Sequence, residues 1–194
     1  MKKSKKELIF LALEKILPEK RFHEITLDEV AQTAKVGKGT IYRYFEDKED
    51  LFFQLAIRGF DEMCQILEGC PAPKAGEDFF LHLTSTCELI SGFFNKRRAL
   101  LRVINIQEGV VSRLRQNSRE RWHEHRQRLV AALGGVLRTG VERGEISSSM
   151  NVEVMARLLL SMMRGRWHMF EDNPDERPTI EETVHLFIKG ASGI

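Results

Sequence analysis

Apolar residues recur along this chain at intervals of three and four positions, which is the spacing of one face of an α-helix. No segment shows the alternation of apolar and polar positions, bounded by Asn-Gly or Asp-Gly turns, that is typical of a β-hairpin. Prolines interrupt helices, and here they stand only between the apolar repeats, at Pro18, Pro71, Pro73, Pro174 and Pro178. The pattern therefore predicts an all-α fold.

The apolar repeats predict about nine helices. They cover residues 4–17, 27–34, 38–45, 48–67, 77–95, 97–107, 112–143, 152–170 and 180–189. Four of these beginnings carry a helix-start signal: capping boxes at Thr26 with Glu29 and at Thr179 with Glu182, and single N-cap residues at Asp47 and Asn151. A cap contributes about 1 kcal/mol, so these residues mark where helices begin more than they stabilise the fold.

The second and third predicted helices are short and are separated by only three residues, 35–37. Two short helices joined by a tight turn are typical of a helix-turn-helix motif. If Ile41 and Phe45 face inward, helical periodicity places Lys38 and Tyr42 together on the exposed face, with Gly39 and Arg43 beside them. Both tyrosines of the chain, Tyr42 and Tyr44, lie in this helix. Such a surface suits the major groove of DNA.

The segment 26–55, TLDEVAQTAKVGKGTIYRYFEDKEDLFFQL, resembles the N-terminal domain of the tetracycline-repressor (TetR) family of bacterial transcription regulators. The resemblance is dense over roughly the first 60 residues, and the remainder is similar only in length and helix content. It implies an N-terminal three-helix DNA-binding domain over residues 1–48, followed by a helical ligand-binding and dimerisation bundle over residues 49–194.

The resemblance also implies roles for individual residues. Lys38, Gly39 and Tyr42 are expected to face bases or the groove floor. Thr40, Tyr44 and Lys48 are expected to hold phosphates, and Lys48 stands at the beginning of a helix, where the dipole favours an anion. Arg43 completes the predicted DNA-contacting set.

The turn departs from the family pattern at two positions. Lys35 stands where the family usually has glycine, and a left-handed backbone there would cost about 1 kcal/mol. Gly37 stands where serine usually caps the third helix, at an expected cost of only a few tenths of a kcal/mol. In addition, Tyr44 replaces a common histidine.

The composition is typical of a globular protein and agrees with a helical DNA-binding protein. The 194 residues are 42% hydrophobic and 30% charged, as in globular proteins, and no run has the apolar length of a membrane span. The net charge of +2 conceals a basic block over residues 96–128, with ten basic and three acidic side chains. Three scattered cysteines and the absence of a signal-peptide pattern favour a cytoplasmic protein.

The last two predicted helices are expected to pair two copies of the chain. The helix over residues 152–170 has apolar residues on more than one side, and such a helix must bury more than one face. A twofold dimer would place its two recognition helices about one DNA turn (34 Å) apart, which predicts a palindromic operator.

A small-molecule effector is expected in the second domain, although plain core packing is the better interpretation of any single residue there. The proposed lining combines aromatic, methionine and arginine side chains: Phe94, Arg102, Trp122, Arg126, Met163 and Trp167. An anionic ligand such as an acyl thioester is one interpretation of the arginines of the basic block, and surface charge is the better interpretation of most of them.

No motif indicates catalysis, a metal site or a cofactor. His123 and His125 are two positions apart and do not share a helix face, and no close cysteine pair occurs. The helix-turn-helix and the resemblance to the TetR family imply a repressor that binds double-stranded DNA and is released by a small molecule. The alternative is a helical, dimeric interaction or ligand-binding protein without sequence-specific DNA recognition.

Overall fold

The structure, a computed structural model, describes residues 3–70, 73, 76–97, 116–146, 149–170 and 172–191, and all regular elements in these ranges are helical. The eight α-helices, numbered α1 to α8, are Lys5–Ile16, Leu27–Ala34, Lys38–Tyr44, Lys48–Glu68, Phe79–Lys96, Gln116–Glu142, Val152–His168 and Ile180–Ala191. Short 3-10 turns precede α2 and α8, at Phe22–Glu24 and Pro174–Glu176. No described helix is long and apolar enough to cross a lipid bilayer.

These elements confirm the all-α prediction. The predicted helix over residues 97–107 lies, beyond residue 97, outside the described residues, and the last two predicted helices correspond to α7 and α8. The four predicted caps are also present. The Thr179 hydroxyl accepts from the Glu182 amide at 3.0 Å, and the Glu182 carboxylate accepts from the Thr179 amide at 2.7 Å. These bonds lower the pKa of Glu182.

The capping box at the start of α2 forms only by half. The Thr26 hydroxyl accepts a hydrogen bond from the Glu29 amide at 3.2 Å, as expected. The Glu29 carboxylate, however, does not return to Thr26 and instead binds the Lys20 ammonium at 2.6 Å. An ion pair with a residue outside the helix has therefore replaced the second half of the box.

The described residues form two compact units, one within 1–59 and 97–122 and the other within 60–96 and 123–194. In the first unit, α1, α2 and α3 pack around a common apolar core. Leu13, Val30 and Ile41, one from each helix, have no exposed surface. Phe45 meets Phe10 of α1 edge to face, with ring centroids 5.4 Å apart. Burying such a side chain contributes about 1.5–3 kcal/mol.

In the second unit, α5 packs against both α7 and α8. Leu83 of α5, Leu159 of α7 and Val184 of α8 are fully buried. Helix α6 contacts α5 at a glycine: a Cβ atom placed on Gly140 would lie 2.5 Å from Cζ of the buried Phe79 ring. Only a residue without a side chain fits at that crossing.

We predict that Gly140→Ala lowers the free energy of unfolding by about 1–3 kcal/mol, because the Phe79 ring must shift within a closely packed core. Gly135→Ala is the matched control. It lies in the same helix, is exposed, and has no atom within 4 Å of a Cβ at that position. It should stabilise the protein by about 0.5–1 kcal/mol through helix propensity. Urea unfolding followed by circular dichroism measures both, and equal effects of the two substitutions would contradict this packing.

Candidate nucleic-acid interface

Helix α3 has one face in the core and the other in solvent. Ile41 has no exposed surface and Phe45 only 1%, so the helical period turns Lys38 and Tyr42 outward. Tyr42 is 52% exposed, the highest exposed fraction among the large apolar or aromatic side chains of the first three helices. The structure places all seven sequence-predicted DNA contacts in α3 or at the first residue of α4: Lys38, Gly39, Thr40, Tyr42, Arg43, Tyr44 and Lys48.

The side chains on the outward face of α3 differ in exposure, and some of them contact one another. Lys38, Gly39 and Arg43 are exposed, and Thr40 and Tyr44 are half-buried. No atom lies within 4 Å of a Cβ placed on Gly39, so the backbone there is open to close approach by a partner. The Arg43 guanidinium lies 5.1 Å from the centre of the Tyr44 ring and donates to its hydroxyl at 3.4 Å. The Arg43 cation and the Tyr44 phenol are therefore held next to each other on α3.

The turn between α2 and α3 has the left-handed residue that the sequence predicts. Lys35 has φ 55° and ψ 43°, and it is the only non-glycine residue with positive φ among the described residues. Its amide donates to the Gln32 carbonyl at 3.0 Å, and the Val36 amide donates to the Ala31 carbonyl at 3.0 Å. This pair of bonds is the Schellman motif, which usually has glycine at the left-handed position.

Gly37 caps α3 without a side chain. It is extended, with φ −69° and ψ 147°, and no side-chain hydrogen bond satisfies the first turn of the helix. Gly37 is therefore the N-cap residue of α3, as the sequence predicts, but it contributes only its extended backbone conformation. The Thr40 amide donates to the Gly37 carbonyl at 2.8 Å.

Lys38 is held by an acidic neighbour in the free protein. Its ammonium lies 2.7 Å from a carboxylate oxygen of Asp28, near the start of α2, and both side chains are 57% exposed. The hydrogen bond to Asp28 raises the pKa of Lys38, so the side chain is a cation at neutral pH. An exposed pair of this kind is weak, and a phosphate or guanine can replace the carboxylate.

Lys48 has a structural role that its sequence position did not reveal. Its ammonium donates to the Phe22 carbonyl at 3.0 Å and to the Ile25 carbonyl at 3.1 Å, and it lies 4.4 Å from the centre of the Phe22 ring. The first residue of α4 is therefore tied to the segment that leads into α2. Two of its three N–H donors are used within the chain, which leaves one for a phosphate.

The residues predicted to line an effector pocket occupy different environments. Trp122 is a buried residue of the first unit, at 1% exposure. The centroid of its ring lies 6.3 Å from the centroid of the Phe53 ring. Phe94, Met163 and Trp167 are buried in the second unit, where the Trp167 indole donates to the Asn95 side chain at 2.9 Å. Of the two predicted arginines, Arg126 is exposed and Arg102 lies outside the described residues.

The described thiols are not arranged for nucleophilic chemistry. Burial raises the pKa of Cys64 to about 11 and that of Cys87 to about 12, so both are protonated at neutral pH. Burial also raises the pKa of the half-buried Cys70. No group of three or more histidine, cysteine, aspartate or glutamate residues with metal-binding geometry occurs among the described residues.

Residues 4–55 match the family model described as "Bacterial regulatory proteins, tetR family". The chain is 28% identical over 165 residues to the HTH-type transcriptional repressor BepR of Brucella suis, covering 82% of this chain and 77% of that protein. It is 26% identical over 192 residues to the fatty acid metabolism regulator protein of Bacillus subtilis, covering 95% and 93%.

The N-terminal segment of the chain, residues 4–55, belongs to the TetR family. The fold of the whole chain agrees with that of solved regulators. The transcriptional regulator FadR from Bacillus subtilis, solved in complex with stearoyl-CoA, matches 96% of this chain and 98% of its own length, with a TM-score of 0.69 and 18% identity. The family match and the relatives named as regulators show that the chain is a DNA-binding transcriptional regulator, and an interaction protein without DNA recognition is not favoured.

We predict that Lys35→Gly raises the free energy of unfolding by about 1 kcal/mol, because glycine adopts the left-handed conformation without a Cβ clash. Lys35→Ala is the control, since it removes the same charge but keeps the Cβ atom. Thermal unfolding by circular dichroism should show a higher midpoint for glycine only. If alanine stabilises the protein equally, the charge and not the backbone conformation explains the effect.

Proposed function

We propose that this chain is a homodimeric repressor that binds a palindromic operator through α3 and releases it when a small-molecule effector binds. In this proposal residues 1–48 contact DNA, and residues 49–194 carry dimerisation and effector binding. The family match over residues 4–55 and the relative named as a transcriptional repressor support it. Metal and cofactor have no part in this function.

The orientation of α3 carries the proposal. The complete burial of Ile41 and Phe45 leaves Tyr42 no place in the core, so a large aromatic side chain projects beside Lys38 into solvent. A helix of this kind fits the major groove, where lysine recognises guanine and a tyrosine hydroxyl contacts a phosphate or base edge. Thr40, Tyr44 and Lys48 then hold phosphates on either side.

The proposed dimer uses α7 and α8, which correspond to the last two helices predicted from the sequence. One face of α7 is buried within the chain, with Met155, Leu159 and Met163 at 1% exposure or less. Another face presents Val154 at 45% and Leu158 at 49%, one turn apart. Helix α8 presents Leu186 at 67% exposure. Pairing these faces about a twofold axis would bury apolar surface that is otherwise in water.

For the effector we propose an acyl thioester. The support is the similarity to the fatty acid metabolism regulator protein of Bacillus subtilis, which aligns over 95% of this chain. Such a ligand needs apolar surface for its acyl chain and cations for its phosphates. Phe94, Met163 and Trp167 are proposed for the first requirement, and Arg126 for the second.

The DNA-binding part is tested by fluorescence anisotropy with DNA that flanks the gene for this chain, at two salt concentrations and with unrelated DNA as competitor. Tyr42→Ala and Lys38→Met should each weaken operator binding about 5–150-fold, as expected for the loss of about 1–3 kcal/mol. Lys96→Met, an exposed lysine at the end of α5, is the control and should leave binding unchanged. If both α3 variants bind the operator with wild-type affinity, the outward face of α3 does not contact DNA.

Adding stearoyl-CoA to the operator complex tests the effector in the same assay. The proposal predicts that anisotropy falls to the value of free DNA, while free fatty acid without the thioester headgroup is weaker. Unchanged anisotropy at saturating ligand would exclude this effector class and leave the DNA-binding result intact.

The dimer is tested by replacing one exposed leucine with a charged residue. Leu158→Glu should convert the protein to a monomer in sedimentation equilibrium, because burying an unpaired carboxylate in the interface is strongly unfavourable. Leu81→Glu, on α5, starts from a leucine that is 59% exposed and is the matched control, which should remain dimeric. A dimer in both variants would place the interface elsewhere.

A further inference from the structure

The second unit contains a cleft whose side chains have no part in DNA binding or in the proposed dimer. Helices α5 and α7, the 3-10 turn at Pro174–Glu176 and the beginning of α8 border an open cleft of about 460 Å³. The walls carry guanidinium, hydroxyl and carboxylate groups, from Arg166, Arg177, Thr84, Thr179, Glu88 and Glu181. The cleft is thus a polar site, unlike the apolar cavity expected for an acyl chain.

Two arginines face this cleft, and neither forms an ion pair with a carboxylate among the described residues. Arg166 donates through Nε to the Pro178 carbonyl at 2.5 Å, and Arg177 donates through Nη2 to the Phe170 carbonyl at 3.2 Å. A guanidinium has five N–H donors, so most donors of each remain for another acceptor. Burial, and secondly the neighbouring charge of Arg177, lower the pKa of Arg166. An oxyanion between the two cations would offset their mutual repulsion.

Unsatisfied polar atoms lie in the same walls. The Thr84 hydroxyl oxygen and the Arg177 Nε atom are buried and have no hydrogen-bond partner among the described residues. Leaving such an atom unpaired is unfavourable, and native proteins rarely do so without a reason. Both atoms belong to residues that line the cleft, so a ligand oxygen there is one way to satisfy them.

The carboxylates restrict the class of anion. Glu88 and Glu181 balance the charge of the two arginines within the cleft, which disfavours a multiply charged phosphate. A ligand with one carboxylate and several hydroxyl or amino donors matches both kinds of wall. We propose that this cleft binds a small organic acid, with its carboxylate on Arg166 and Arg177 and its donor groups toward Glu88 and Glu181.

Isothermal titration calorimetry with the full chain tests this site without DNA. Gluconate, lactate and glutamate are the carboxylate probes. Sorbitol is the matched control for gluconate, because it has a neutral hydroxymethyl group in place of the carboxylate. Inorganic phosphate tests the other source of an oxyanion. The expected result is saturable binding of at least one carboxylate, at least tenfold tighter than sorbitol or phosphate.

Variants then locate the site. Arg177→Gln should weaken the bound carboxylate at least tenfold, and Arg138→Gln, an exposed arginine of α6, should leave it unchanged. Because Arg177 also binds a backbone carbonyl, Thr84→Val is a second variant. It removes only an unpartnered hydroxyl, so it should fold normally and still weaken binding several-fold.

The proposal is overturned if no carboxylate probe binds, if sorbitol or phosphate binds as tightly, or if binding survives both Arg177→Gln and Thr84→Val in folded protein. These outcomes leave the DNA-binding proposal unaffected, since they are measured without operator.

Discussion

The burial of Ile41 and Phe45 is the constraint on which the DNA-binding face depends. Both side chains are buried to 99% or more, and Phe45 contacts Phe10 of α1 through its ring. A helix of only seven residues is not stable by itself, so this packing holds α3 in place. Because the helical period fixes the opposite face at the same time, the core determines which side chains DNA can reach.

The same unit ties the beginning of α4 to this core. Lys48 donates to two carbonyls of the segment before α2, and Arg58 donates twice to the Glu7 carboxylate of α1, each bond 3.0 Å long. Helix α4 then continues without a break to Glu68, in the second unit. In the proposed mechanism, a ligand that displaces α4 would act on the segment that supports α3, and a coupling of about 1–3 kcal/mol is typical of such regulation.

Local features of the first unit were predictable from the sequence because they depend on near neighbours. The caps at Thr26 and Thr179 and the left-handed turn at Lys35 each involve residues within five positions, and the structure confirms them. The amphipathic pattern of α3 was equally readable, because Ile41 and Phe45 are one turn apart. Family resemblance added the expected roles, which composition and spacing do not supply.

Long-range contacts were not predictable in this way. The sequence favours Lys48 as a phosphate ligand, but its bonds to Phe22 and Ile25 depend on backbone carbonyls brought close by folding. Glu29 likewise binds Lys20 in preference to completing its capping box. The cleft around Arg166 and Arg177 gave no sequence signal, because its walls come from four separate segments. The predicted effector residues stay a prediction for the same reason.

Hydrogen-exchange mass spectrometry with and without operator DNA tests the central claim most directly, because it reports which segment DNA covers. The account predicts slower exchange in peptides that span residues 36–48, where α3 and the first residue of α4 lie, and unchanged exchange in α7 and α8. Unchanged exchange over residues 36–48, with protection in another segment of the same complex, would contradict it.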